Sequence, residues 1–161
     1  MLLIDVKKAL LNPKCVEDVF VELPEKVGAK TNMVGKLVHW LYGFRPAAAA
    51  WENHYAEKLT EAGFTRGLAT PVSFYHAQRD INLVVHGDDF TFVGESGELD
   101  WVESQMKSWY EVKVRARLGP EAADDKEAVL LGRIIRWHSW GVSCEADTKH
   151  NQIVFVALGL G

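Results

Sequence analysis

Hydrophobic and polar residues alternate along this chain with two different periods, and the switches between them mark its elements. Leu2 to Val6 is a short apolar run interrupted by one carboxylate, Asp5, and reads as a buried strand. Val19, Val21 and Leu23 alternate with Phe20 and Glu22 at the strand period, and Pro24 closes the run. Glycine-rich and polar residues from Gly28 to Gly35 form a loop, followed by a second apolar run from Leu37 to Tyr42 that Gly43 ends. Ala47, Trp51, Tyr55 and Leu59 then recur every four residues between Pro46 and Gly63, which predicts a helix with one apolar face. Val72 to Ala77, Ile81 to Val85 and Phe90 to Val93 are strand-like, and His86-Gly87-Asp88-Asp89 joins the last two as a hairpin. Trp101, Val102, Gln105, Met106 and Trp109 predict an amphipathic helix, and Tyr110 to Val114 a further strand. Past a solvated acidic stretch from Glu121 to Glu127, Val129–Trp137 and Gly141–Glu145 pair as a final hairpin. A short helix from about Asp147 to Leu158 closes the chain.

Strands and helices mix here without strict β-α-β alternation. That order predicts an α+β fold with a mostly antiparallel sheet, and a split βαβ (ferredoxin-like) unit with helices on one face accommodates it. The 161 residues are one-domain length, and 48% hydrophobic with 25% charged residues is the composition of a water-soluble domain. No apolar run approaches the roughly 20 residues that span a bilayer, and Met1-Leu2-Leu3-Ile4 lacks the basic start of a signal peptide. Cys15 and Cys144 have no CxxC spacing and read as reduced thiols. Together these features predict an intracellular protein, cytoplasmic or nuclear and not secreted, with no membrane partner. A net charge of −4 is unlike the basic balance of most nucleic-acid enzymes.

The segment with the most chemistry is Asp88-Asp89, two adjacent carboxylates at a tight turn between strongly apolar strands. Asp and Gly are ordinary turn residues, and taken alone the pair needs no further role. Its other reading is divalent-metal binding, since like charges held close repel until a cation neutralises them. Asp5, at the end of the first strand, supplies a third carboxylate if that strand neighbours the hairpin. Among other candidates, Lys113, Arg115 and Arg117 alternate, so on a strand they would share one face. The histidines show no zinc-ligand spacing, and no phosphate-binding glycine loop is present.

Five segments in order carry a resemblance to the copia-type (Ty1/copia) retrotransposon reverse transcriptases. Asp5-Val6-Lys7-Lys8-Ala9-Leu10-Leu11-Asn12, continuing to Val19-Phe20-Val21-Glu22-Leu23-Pro24-Glu25, resembles that family's first catalytic motif. Leu41-Tyr42-Gly43-Phe44-Arg45-Pro46-Ala47-Ala48-Ala49-Ala50-Trp51 is similar to its Leu-Tyr-Gly-Leu-Lys-Gln-Ala-Pro-Arg-x-Trp segment. Gly63-Phe64-Thr65-Arg66 resembles the following Gly-Phe-x-Arg, and His86-Gly87-Asp88-Asp89 stands where the family has Tyr-Val-Asp-Asp. Leu130-Leu131-Gly132-Arg133-Ile134 resembles the later Phe-Leu-Gly-Ile strand. The resemblance implies one palm-like domain over 1–161, lacking the N-terminal fingers region and most of the thumb.

It also implies the chemistry. Asp5, Asp88 and Asp89 would be catalytic metal ligands with the Val6 carbonyl, holding two Mg²⁺ ions, for which Mn²⁺ can substitute. Leu10, Gly43 and Arg45 would contact the nucleotide; Lys113, Arg115 and Trp137 would contact primer or template. The implied partners are an RNA or DNA template-primer, a dNTP and the remainder of a retrotransposon polyprotein. Several positions depart from the family. Leu10 replaces the aromatic residue that packs on deoxyribose; Pro46, Ala48 and Ala49 replace Gln, Pro and Arg; His86 replaces Tyr. These departures favour the rival expectation, a catalytically inactive retroelement remnant that keeps only the fold.

Overall fold

A computed structural model describes residues 1–28, 32–145 and 148–159. In chain order the strands are β1 (Leu2–Val6), β2 (Phe20–Glu22) and β3 (Val34–Lys36), then helix α1 (Arg45–Glu61). They continue with β4 (Thr65–Arg66), β5 (Ser73–His76), β6 (Ile81–His86), β7 (Asp89–Val93) and helix α2 (Ser96–Trp109). Last come β8 (Val112–Arg117), β9 (Glu127–Leu130), β10 (Arg133–His138), β11 (Gly141–Glu145) and helix α3 (Thr148–Ala157). Six strands form the main sheet in the order β4-β5-β6-β7-β1-β8, antiparallel throughout. This is the α+β, largely antiparallel class that the sequence predicts. β7 lies between β1 and β6 in the sheet, and α1 falls between β3 and β4 in the chain.

Period-two alternation divides this sheet into a dry face and an open one. Leu2, Ile4 and Val6 of β1, Ile81, Leu83 and Val85 of β6, and Phe90 and Phe92 of β7 are buried in one cluster. Trp51, Tyr55 and Leu59 of α1 and Leu99, Val102 and Met106 of α2 belong to the same cluster, so both helices cover the same face. Burying each of these large side chains contributes about 1.5–3 kcal/mol, which is why the four-residue spacing in α1 was legible.

A second, smaller core lies on the other side of β1. Leu3 packs there with Ala116, Leu118 and Ile135, and the three-stranded sheet β11-β10-β9 brings Ile135 to it. The change of face along β8 comes from a register shift. Ile4 pairs with Val114 and Leu3 with Ala116, which leaves Arg115 as the extra residue of a bulge. Before the bulge Val112 and Val114 face the main core; after it Ala116 and Leu118 face the small one.

Three sequence expectations change. Val129–Trp137 is not one strand but two, because Leu131 (φ 50°) and Gly132 (φ 76°) form a left-handed turn between β9 and β10. The apolar character of Leu131 suggested a strand, yet it is a largely exposed turn residue. The loop expected from Gly28 to Gly35 gives way to β3 at Val34, where the chain pairs with β2; of the apolar run Leu37 to Tyr42, Trp40 alone is buried. Arg117 does not share a face with Lys113 and Arg115: beyond the bulge its guanidinium turns to Asp100 and Glu103 of α2 and to Asp124. The expected terminal helix is present as α3, and Asp147 lies outside the described residues.

Candidate active site

β1 and the β6–β7 hairpin meet at one end of the main sheet. Asp5 pairs with Asp89 across β1 and β7, and the Val6 N–H donates to the Asp88 carbonyl at 2.9 Å. The connection from β6 to β7 has two residues, with His86 opposite Asp89. Gly87 takes φ 64° in it, a left-handed value that glycine adopts without steric cost. Trp51 of α1 braces the turn from beneath, its indole Nε1–H donating to the Gly87 carbonyl at 2.8 Å. Around that indole Tyr55, Phe90 and Tyr110 stack edge-on at centroid distances of 5.4, 6.2 and 5.1 Å. Burial pushes the Tyr110 phenol far above its ordinary pKa, so it stays neutral, and its hydroxyl has no partner among the described residues.

Period two decides where the carboxylates point. Asp5 shares the face of Leu3, and Asp89 that of Thr91, so both lie on the face the helices leave open. Asp88, in the turn, is exposed. Like charges directly opposite on neighbouring strands destabilise a sheet unless something neutralises them. Two cations stand nearby: Lys113 is opposite Asp5 on β8, and Arg115 Nη1 donates to Asp89 Oδ1 at 2.9 Å. Since β1 lies between β7 and β8, the Arg115 side chain reaches across it. Lys7 is engaged elsewhere, donating to Glu111 Oε1 at 2.8 Å; that bond holds the lysine above, and the glutamate below, its ordinary pKa.

Beside the turn is a cavity of about 310 Å³, lined by Leu10, Tyr42, Ala48, Trp51, Val72 and Asp88 among others. Leu10 comes to it on the short 3₁₀ turn Ala9–Leu11, directly after β1. The structure thus gathers Leu10 and Asp88 at one opening, next to Asp5, Val6 and Asp89. Gly43 and Arg45 precede and open α1 but are not among the cavity's lining residues, and Arg45 is exposed. Trp137 is half-buried against the small core and lines a separate cavity with Arg117. Sequence reasoning missed Tyr42, Val72 and the Trp51 brace. A tryptophan on the apolar face of a helix gives no sign that its N–H is aimed at a distant turn.

By chemistry the donors suit a hard divalent cation: carboxylate oxygens from two adjacent strands and their turn. As they stand, no three His, Cys, Asp or Glu side chains converge as a metal cluster among the described residues. No described helix is long and apolar enough to cross a membrane. Cys15 and Cys144 are free thiols.

The sequence is similar to a retroelement protein of known type. Over 123 residues, 73% of this chain, the sequence is 25% identical to the retrovirus-related Pol polyprotein from transposon TNT 1-94 of Nicotiana tabacum. The chain is similar to part of a retrotransposon Pol polyprotein. That similarity supports a retroelement origin, and it spans 9% of the polyprotein's length. No family model matches the chain, and no solved structure matches it.

Proposed function

We propose that this chain is the palm of a copia-type reverse transcriptase, an RNA-directed DNA polymerase domain within a retrotransposon polyprotein. One observation carries the reading: Asp5 and Asp89, distant in sequence, are in register on adjacent strands with Asp88 in the turn beside them. The similarity to part of a Pol polyprotein supports the retroelement origin that this reading requires.

Asp5, Asp88 and Asp89, with the Val6 carbonyl, would hold divalent cations at this end of the sheet. Mg²⁺ or Mn²⁺ bound there supplies activation of a primer 3′-hydroxyl and charge neutralisation at the leaving pyrophosphate. The rest falls to the chain itself. The Val6–Asp88 backbone bond and the Trp51 brace fix the backbone of the turn that carries Asp88. The cavity bounded by Leu10, Tyr42 and Ala48 would receive the nucleotide beside Asp88, and Leu10 forms a smaller wall on its sugar side than an aromatic ring would. Lys113 and Arg115 would meet phosphates of the template-primer from β8.

Primer extension with Mg²⁺ tests this. The chain should extend a primer slowly and the Asp88→Asn variant not at all; equal extension by the two would remove Asp88 from the mechanism.

A second reading is a retroelement remnant that folds as a palm and polymerises nothing. Specific residues favour it: Leu10, Ala48 and Ala49 at positions that would handle the nucleotide, and the arginine already bound to Asp89. Mn²⁺ titration separates the readings. Binding that disappears in Asp5→Asn supports the polymerase site, and no binding supports the remnant.

A further inference from the structure

The bulge in β8 has no role in closing the main core, since Val112 and Val114 pack there without it. Its local effect is on Arg115. As the extra residue opposite the Leu3–Ile4 step, Arg115 leaves the alternation of its strand, and its side chain crosses β1 to Asp89 Oδ1 at 2.9 Å. Bulges often re-aim one side chain in this way beside functional sites. Arg115 is about half exposed, at 48%, whereas the Asp89 side chain is 18% exposed. The guanidinium can therefore swing into solvent while the carboxylate stays in place.

Resting on the polymerase reading above, we propose that Arg115 is an exchangeable counterion for Asp89, competing with the divalent cation for that carboxylate. The ion pair neutralises Asp89 against Asp5 while the site is metal-free, relieving the repulsion of two carboxylates opposite one another. Metal entry breaks the pair and frees the guanidinium on the same open face. In the paired state Arg115 and Asp89 already line a shallow recess of about 450 Å³ with Lys113, Leu131 and Gly132, so the freed guanidinium stays beside it. A phosphate bound at Lys113 and Arg115 draws the guanidinium from Asp89, so phosphate and metal favour each other's binding. Lys113 faces Asp5 in register and forms no ion pair with Asp89, which makes it the internal control for simple loss of positive charge.

The test is Mn²⁺ affinity of the whole chain, read by the electron paramagnetic resonance of free Mn²⁺. Wild type is compared with Arg115→Gln, Lys113→Gln and Asp88→Asn, each checked for folding by circular dichroism. An exposed pair of this kind sets a modest penalty, so Arg115→Gln should bind Mn²⁺ about three- to tenfold more tightly. Lys113→Gln should gain distinctly less. Equal gains in both variants would show a general field effect and overturn the proposal, as would unchanged or weaker binding in Arg115→Gln. If wild type binds Mn²⁺, Asp88→Asn loses it and Arg115→Gln changes nothing, the counterion role fails and the metal site stands. If no variant binds Mn²⁺, both fail together. In wild type, the hydrogen-bonded guanidinium ¹⁵N signal of Arg115 should disappear with the midpoint of an Mg²⁺ titration. Its persistence at saturation would also overturn the exchange.

Discussion

The two faces of the main sheet are built from the same strands and obey opposite rules. On the helix side, Ile4, Val85, Phe90 and Phe92 are all but sealed from water. Adjacent to them along the same backbones stand Asp5, His86, Asp89 and Thr91, none of them buried. The dry face fixes the register, because a slip by one residue would carry aspartates into the core and phenylalanines out of it. The open face inherits that precision where Asp5 and Asp89 stand, and Leu3 adds to it further along β1 by packing in the small core. Asp5 is opposite Asp89 because Ile4 and Phe90 must be buried, not because the carboxylates attract.

Substitutions on the two faces should therefore differ in kind. Phe92→Ala, on the dry face, should cost about 3–5 kcal/mol in chemical denaturation, chiefly through the cavity it leaves. A loss under about 1 kcal/mol would mean the two faces are not distinct. Trp51→Phe tests the link between them, since the indole belongs to the core and its N–H holds the turn. It should cost about 1–2 kcal/mol in the same measurement, and Mn²⁺ affinity should fall with it. Asp5→Asn, on the open face, should leave stability within about 1 kcal/mol of wild type or raise it slightly, because it removes a like-charge pair. The same variant should abolish Mn²⁺ binding; retained binding would exclude Asp5 from the site. The smallest effect concerns His54 on α1, whose pKa burial, and then Lys58, holds below the ordinary histidine value. The unfolded chain then takes up the proton more readily, so stability is full above pH ~6.5 and declines below it. Unfolding midpoints at pH 7.5 and 5.5 should differ less in His54→Gln than in wild type.

The dry face could be read from the sequence and the open face only in part. Four-residue spacing in α1 and alternation in β6 record burial, a strong and repetitive constraint, so these elements lie where the pattern puts them. Asp5, Asp88 and Asp89 were found as a motif, and their proximity follows from a strand order that no local pattern encodes. The bulge at Arg115 was invisible, because one unpaired residue changes no composition and only a partner strand reveals it. Leu131 misled for the opposite reason: its side chain suggests a strand, while the backbone needs a left-handed turn that Gly132 makes possible. Primer contact at Trp137 is an expectation of the resemblance alone, and its packing against the small core is a tertiary contact that no local pattern encodes.

The position of β1 has a consequence for how the chain reaches this state. It is the fifth strand in spatial order, yet it is made before either neighbour, and its partners are residues 89–92 and 112–117. Until those segments emerge, Leu2-Leu3-Ile4-Asp5-Val6 is an unpaired, almost wholly apolar strand. Closing such distant pairings is slow, and an edge of this kind invites association while it waits. The single charge within it, Asp5, therefore serves before any metal could arrive. It keeps the nascent strand from being uniformly greasy during the interval in which it has nothing to pair with.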